Sequence, residues 1–308
     1  INLLRARSDV TIETTEAHNE SDLVKLVPDT DAILVRSALI TSAIIEAAPL
    51  LKVVSRHGVG FNSVDVQALT ARRIPLTIAV GGNAVSVAEH TLYLILALAK
   101  QGQCYDTAAR QGDFSFRNAP IAREIETSKL LVIGFGRIGS QVARRALAFG
   151  MTVHVYDPYV PDSVVQDQGA HIVRNLHDAL PQMDVVSVHC PLNEETNNLI
   201  SGHELRLMKS NALLINTARG GIVDETALHS ALLQGEIAGA GIDVFVTEPT
   251  SPSLNLLELA NVVVSPHCAG VTVESSARTA RIAAQNALDG LDSTLDEVFV
   301  VNREVLLH

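Results

Sequence analysis

The chain has little cysteine. Cys104, Cys190 and Cys268 are its only three, far apart and without a C-x-x-C pair. That spacing excludes a disulfide framework and a zinc site, so no metal is expected and a reducing compartment, the cytoplasm, is. It also has no long hydrophobic run: the longest apolar stretch, Thr91 to Ala99, follows Glu89 and His90 and falls short of the roughly 20 residues that span a bilayer. No run of lysine and arginine is present, and 23 basic against 34 acidic residues leave a formal charge of −11. Nucleic acid and an anionic membrane are thereby excluded as main partners. There is no short internal repeat, no low-complexity segment and no visible signal peptide. The chain opens at Ile1 rather than at methionine, so some native N-terminal sequence is expected to be missing.

What is present is a globular composition, 47% hydrophobic over 308 residues, long enough for two domains with full cores. The organising stretch is Leu130 to Gly139, LLVIGFGRIG, followed by SQVARRALAFG and MTVHVYDP. Its apolar start reads as a buried parallel strand, and Ile138, Val142, Ala146 and Phe149 give the next stretch helical spacing. In the turn, Gly134 permits the tight bend, Gly136 lets the backbone approach a pyrophosphate, and Gly139 lets helix and strand pack closely. The helix N-terminus then directs N–H groups at the phosphate. Alone such a glycine pattern is weak, but a second strand, Thr152 to Tyr156, ends in Asp157, where a carboxylate accepts from an adenosine ribose and repels a 2′-phosphate. NAD is therefore expected rather than NADP.

Strands and helices alternate along the first 79 residues. Strands are expected at Val10–Ile12, Ala32–Val35, Lys52–Ser55 and Leu76–Ile78, with helices at Ser21–Val27, Ser42–Ala48 and Val64–Arg72; that alternation means a parallel sheet with covering helices. A helix from Ala84 to Lys100 reads as the passage into a second domain. After the glycine turn, strands recur at Asp184–Val188, Ala212–Ile215, Ala238–Ile242 and Val262–Val264, a doubly wound sheet in its own right. The expected class is α/β with two doubly wound parallel-sheet domains and a cleft between them. A flavodoxin-like substrate domain takes residues 1–83 and 286–308, the apolar tail VVNREVL returning to it, and a Rossmann NAD domain takes 84–285.

Ligands of such sheets bind beyond the carboxyl ends of strands. The tails there are NTARGG, GIDVFVTEP and VVVSPHCAG, which supply Arg219, Asp243, Glu248 and His267. A guanidinium grips a carboxylate with two hydrogen bonds, an imidazole moves a hydroxyl proton, and a carboxylate on its other nitrogen steadies the protonated ring. Each has a duller reading, since one histidine among 11 is more often a surface or core residue, and it is their joint placement that counts. Cys268 is given no catalytic role.

GFGRIG with Asp157, HCPLNEET, NTARGGIVDE, GIDVFVTEP, SPHCAG and GGNAVSVAEHT together resemble the NAD-dependent D-isomer-specific 2-hydroxyacid dehydrogenases over essentially the whole chain. The resemblance implies reversible hydride transfer between NAD and C2 of a D-2-hydroxy acid, giving a 2-keto acid. It implies that His267 is the catalytic acid/base, Glu248 its paired carboxylate, and Arg219 the arginine that holds the substrate and polarises its carbonyl. For the cofactor it implies Gly134, Gly136, Arg137, Ile138 and Gly139 at the pyrophosphate, Asp157 at the ribose, His189, Pro191 and Thr217 as cleft walls, and Asp243 at the nicotinamide carboxamide. Val59 and Gly60 would hold the substrate carboxylate through their amides.

Within the family, SRHGVGFNSVD is most similar to the 3-phosphoglycerate dehydrogenase branch, with Arg56 where those enzymes carry a phosphate-binding arginine. A second arginine of that branch is not matched, Ala71 standing in its place beside Arg72 and Arg73, and a short form without a C-terminal regulatory domain is expected. Phosphoglycerate and a small or sulfonated acid thus stay open. A homodimer through Ala84–Lys100 and Cys104–Gln111 is implied. The competing reading is an NAD(H)-sensing corepressor-like binding protein of the same fold; formate dehydrogenase would need insertions absent here.

Overall fold

The computed structural model of the chain describes residues 2–251 and 253–307. Ile1, from which missing N-terminal sequence is expected, lies outside the described residues. The chain divides into two compact units, Ile1–Asn83 with Thr272–His308, and Ala84–Val271.

The first unit is built on three parallel strands, β1 (Ala32–Val35), β2 (Val53–Arg56) and β3 (Leu76–Ile78), in the order β1-β2-β3. Side chains alternate across a strand, so β2 has two different faces to cover. Val54 joins a core with Leu23, Ile44, Ile45 and Leu69 from the short helices. On the opposite face Val53 meets Gly290, and the Ser55 hydroxyl donates to the Ala283 carbonyl at 2.8 Å, both partners lying on the helix Val273–Leu291. That helix packs along all three strands. The boundary therefore lies after Val271 and not after 285, because the helix lays its small residues Ala283, Ala287 and Gly290 on the first unit's sheet.

The expected strand Val10–Ile12 is absent; the segment runs irregularly, with Thr11 exposed. Three residues between Asp9 and Glu13 offer too little apolar surface for a sheet edge, and Arg7 ties the segment down by forking to Asp9 and Asp292, both at 2.7 Å. The tail docks instead through Asn302, which is buried. Its carbonyl oxygen accepts from the Leu76 amide at 2.8 Å, and its amide donates to Ile74 O at 2.9 Å and Thr70 Oγ1 at 3.1 Å.

The second unit carries seven parallel strands in the order β10-β9-β8-β7-β4-β5-β6. They are β4 (Lys129–Ile133), β5 (Thr152–Tyr156), β6 (His171–Ile172), β7 (Val185–Val188), β8 (Leu213–Asn216), β9 (Gly239–Ile242) and β10 (Val262–Val264). β7, β8 and β9 are buried along their whole length, as strands covered on both faces must be, and one apolar core lies on each face. β6 was not expected; two residues are too few to leave a periodic signal. The strand order reverses between β4 and β7, and that reversal opens a crevice for ligands at the carboxyl edge. The helix Ala84–Ala99 crosses β8, β9 and β10 beside the helix Arg137–Ala148. Among the described residues no helix is long and apolar enough to cross a membrane.

Two expectations follow. Asn302→Ala strands the buried Leu76 amide and should cost about 2 kcal/mol or more, read as a lowered midpoint in urea; an unshifted midpoint would show that the tail contributes nothing to the first unit. Burial holds the imidazoles of His57, His90, His154 and His189 below their ordinary range. The unfolded chain binds protons below about pH 6.5 that these rings refuse when folded, so stability is complete above that pH and is lost as pH falls through it. For His154 the charges of His171 and Lys129 add to burial, and among the described residues nothing pairs with its buried Nε2. His154→Gln should accordingly flatten the fall in melting temperature between about pH 7 and about pH 5; a curve parallel to that of the parent chain would refute it.

Candidate active site

The turn after β4 is shaped by contact. A Cβ on Gly139 would sit 2.0 Å from the Gly134 carbonyl oxygen, and Gly134, at φ +92°, lies against the backbone of His189 and Cys190 beyond β7. A Cβ on Gly136, by contrast, would meet nothing within 4 Å. Open space therefore faces the turn just where the helix Arg137–Ala148 begins, and the first turn of any helix has N–H groups without intrahelical partners. An anionic group such as a pyrophosphate fits there, with Arg137 exposed and Ile138 half-buried at the helix start.

Asp157 follows β5 and is already engaged. One carboxylate oxygen accepts from the Phe135 amide at 2.7 Å and the other from the Tyr159 amide at 2.9 Å. Each oxygen keeps a second lone pair, so the group both locks the glycine turn and can still accept from a ribose diol. His189 donates its backbone N–H to Ile133 O at 2.7 Å, and its Nε2 lies 2.8 Å from Ser187 Oγ. Burial pushes its imidazole down to about 3, so the ring is neutral at neutral pH. Burial likewise raises the Cys190 thiol to about 11 and lifts that of Cys268, so neither is a thiolate at neutral pH. Pro191 is exposed and receives the Thr196 hydroxyl on its carbonyl at 2.6 Å.

The loops after β8, β9 and β10 adjoin along the same edge. Beyond β8, Asn216 folds the chain back on itself by accepting from the Ala218 amide at 3.0 Å and donating to Arg219 O at 2.9 Å. Thr217 is buried, its Oγ1 3.0 Å from that of Thr91 on the long helix. Arg219 is half-buried, and its guanidinium donates to Ala218 O at 2.6 Å. The next residue, Gly220, packs so tightly on the following loop that a Cβ there would come within 2.1 Å of Phe245 C and O.

Beyond β9 and β10 the expected pair meets directly. Nδ1 of His267 lies 2.7 Å from Glu248 Oε2, and the other oxygen of Glu248 accepts from the Phe245 amide at 2.9 Å. Since a carboxylate only accepts, Nδ1 carries the proton of the neutral ring and Nε2 is left as its acceptor nitrogen. His267 has φ +51°, a conformation uncommon for a residue with a side chain. It is held there by its amide, which donates to Asp243 O at 2.8 Å, and by the Asp243 carboxylate, which accepts from Cys268 N at 2.9 Å and Ala269 N at 3.0 Å. Asp243 is 1% exposed.

Val59 and Gly60 belong to the loop after β2 in the first unit, where no described residue of that unit accepts from either amide. Arg56 turns back to donate to His57 O at 2.7 Å. Arg72, capping the helix Val66–Ala71, donates to Ile45 O and to Pro49 O, the latter at 3.3 Å, and Arg73 donates to Leu307 O at 2.6 Å. Both arginines beside Ala71 are thus engaged with the protein's own carbonyls. Sequence reasoning gave no part to Ser265 and His90, which stand against Asp243. The signal for His90 was a polar Glu-His-Thr step inside an otherwise apolar helix.

Comparison with known proteins shows the family. Residues 92–269 match the model of the D-isomer specific 2-hydroxyacid dehydrogenase NAD binding domain. A D-3-phosphoglycerate dehydrogenase of Mycobacterium bovis is 40% identical over 278 residues, 90% of this chain and 52% of that protein. A hydroxypyruvate reductase of Thermotoga maritima is 38% identical over 271 residues, 87% of each. Among solved structures, D-lactate dehydrogenase from Aquifex aeolicus complexed with NAD and lactic acid superposes with TM-score 0.81 at 31% identity, covering 91% of this chain and 89% of that one. The chain spans about half the length of the phosphoglycerate dehydrogenases it matches. None of these relatives is named as a corepressor. With the NAD-binding domain matched from the long helix to the loop of His267, the chain belongs to the D-isomer specific 2-hydroxyacid dehydrogenase family.

Proposed function

We propose that the protein is an NAD-dependent oxidoreductase acting at C2 of a small D-2-hydroxy acid and its 2-keto acid. The observation that carries this reading is the 2.7 Å contact between His267 Nδ1 and Glu248 Oε2, on the loops after β10 and β9, the strands that continue the sheet from β8, after which Arg219 lies. NAD, when bound, accepts the hydride from C2, and its reduced form returns it. Gly136, Arg137, Ile138 and Asp157 would hold it, with His189, Pro191 and Thr217 as walls and Asp243 at the nicotinamide end. His267 takes the hydroxyl proton at Nε2 during oxidation and gives it back during reduction. Glu248 stabilises the imidazolium in between. Arg219 pairs with the carboxylate and draws electron density from the carbonyl oxygen. In the first unit the Val59 and Gly60 amides are offered to a carboxylate.

A non-phosphorylated acid is favoured over 3-phosphoglycerate, because Ala71 stands where a second phosphate-binding arginine is expected and its neighbours Arg72 and Arg73 are held by the backbone carbonyls of Pro49 and Leu307. Cytoplasmic location goes with this reading. NADH oxidation should be seen with at least one of hydroxypyruvate, glyoxylate, pyruvate, sulfopyruvate and phosphohydroxypyruvate, with the first two strongest. His267→Ala should lower kcat by about 10²- to 10⁴-fold. Tight NADH binding with no acid reduced would defeat the enzymatic reading.

A homodimer is also proposed. The helix Ala84–Ala99 leaves Tyr93 54% exposed, beside Leu92, Leu96 and the 47% exposed Phe149, an apolar face on an otherwise acidic protein. Light scattering should give twice the 32.9 kDa of one chain, and a single-chain mass would rule it out.

A further inference from the structure

The helix Ala84–Ala99 touches the site edge at two successive residues. Thr91 reaches Thr217 beyond β8, and His90 reaches the loop beyond β10, where its Nε2 lies 2.9 Å from Ser265 Oγ. That hydroxyl lies 2.5 Å from Asp243 Oδ1. The order of donors along this chain of three is fixed by valence. The Asp243 carboxylate already accepts from two backbone amides and is sealed from water, so Ser265 donates its single hydroxyl proton to it. The hydroxyl oxygen can then only accept from His90, whose Nε2 carries the ring proton. His90 is not an ion partner of Asp243, since their closest approach is 3.9 Å and burial keeps the ring neutral.

The consequence falls on the geometry of Asp243. Oδ1 takes Ser265 and the Cys268 amide and Oδ2 takes the Ala269 amide, while the Cys268 thiol stands against both Ser265 and the carboxylate. The direction in which Oδ2 can accept a further hydrogen bond is set by how the carboxylate plane is clamped at Oδ1. We propose that His90 is a positioning residue for the nicotinamide end of the cofactor site: through Ser265 it fixes the direction in which Asp243 presents Oδ2 to the carboxamide N–H. This rests on the reading above that Asp243 faces that carboxamide. Its reach is confined to one end of the dinucleotide, since the Gly134–Gly139 turn and Asp157 share no hydrogen bond with His90, Ser265 or Asp243.

That confinement supplies the test. NADH and ADP-ribose, which lacks the nicotinamide, are titrated against the full chain and against His90→Leu, His90→Gln, Ser265→Ala and the His90→Leu/Ser265→Ala double variant. NADH affinity should fall about five- to tenfold in His90→Leu and in Ser265→Ala, and no further in the double variant, because both break one chain. ADP-ribose affinity should stay within about twofold throughout. His90→Gln keeps an N–H donor and should restore most of the NADH affinity. Unchanged NADH affinity in the single variants, equal loss of both ligands, or multiplied losses in the double variant would each overturn the proposal. If His90→Leu does not fold, Ser265→Ala and His90→Gln still decide it. Failure of the unsubstituted protein to bind NADH would instead defeat the functional reading itself.

Discussion

Parallel pairing of seven strands is the constraint on which the second unit depends. Because every strand runs the same way, every carboxyl end emerges on one edge, and the backbone there leaves the ladder with polar groups still to satisfy. The loops satisfy them from one another. Gly134 lies against His189 and Cys190, Gly220 against Phe245, and Asp243 ties the end of β9 to the loop that follows β10. The candidate catalytic groups therefore sit on a rigid rim rather than on free loops, which is what a proton transfer between fixed atoms requires.

Asp243 shows how much one buried carboxylate can organise. Removing an ion from water is costly unless hydrogen bonds replace the lost hydration, and here two amides and a hydroxyl do so. The same bonds hold Ser265, His267, Cys268 and Ala269 in one conformation. A side chain that reads in sequence as a cofactor ligand is thus first a piece of scaffold, and its availability to a ligand comes from the lone pair that the scaffold leaves over. Asp157 follows the same pattern, closing the glycine turn through the Phe135 amide while keeping acceptor capacity.

The sequence was most legible where local chemistry and topology coincide. The glycine turn, Asp157 and the tails of β8, β9 and β10 each announced themselves because a strand end, a special residue and a helix start fall within a few residues. Less legible were features made by distant residues. The helix Val273–Leu291 was cut at 285 because nothing in its own composition says which sheet it covers, and only the fit of Ala283 and Gly290 on β2 decides. Val10–Ile12 looked like a strand because β-branched residues are enriched in strands, yet among the described residues no strand pairs with it. His90 was hidden because its partner lies 175 residues away.

His267 combines the local and the distant. A non-glycine residue at φ +51° carries strain on the order of 1–3 kcal/mol, so the surroundings must over-determine it. They do so from three sides: its amide donates to Asp243 O, the next two amides donate to the Asp243 carboxylate, and its ring is held by Glu248. The backbone bonds fix where the ring begins and the Glu248 bond fixes how it is turned, so Nε2 is aimed without help from a ligand. The chain bends at His267, whose amide is tied to Asp243 O just beyond β9, and the imidazole stands within hydrogen-bond reach of Glu248. The strained backbone thus goes with the placement that lets a histidine after one strand and a glutamate after its neighbour form a single hydrogen-bonded pair.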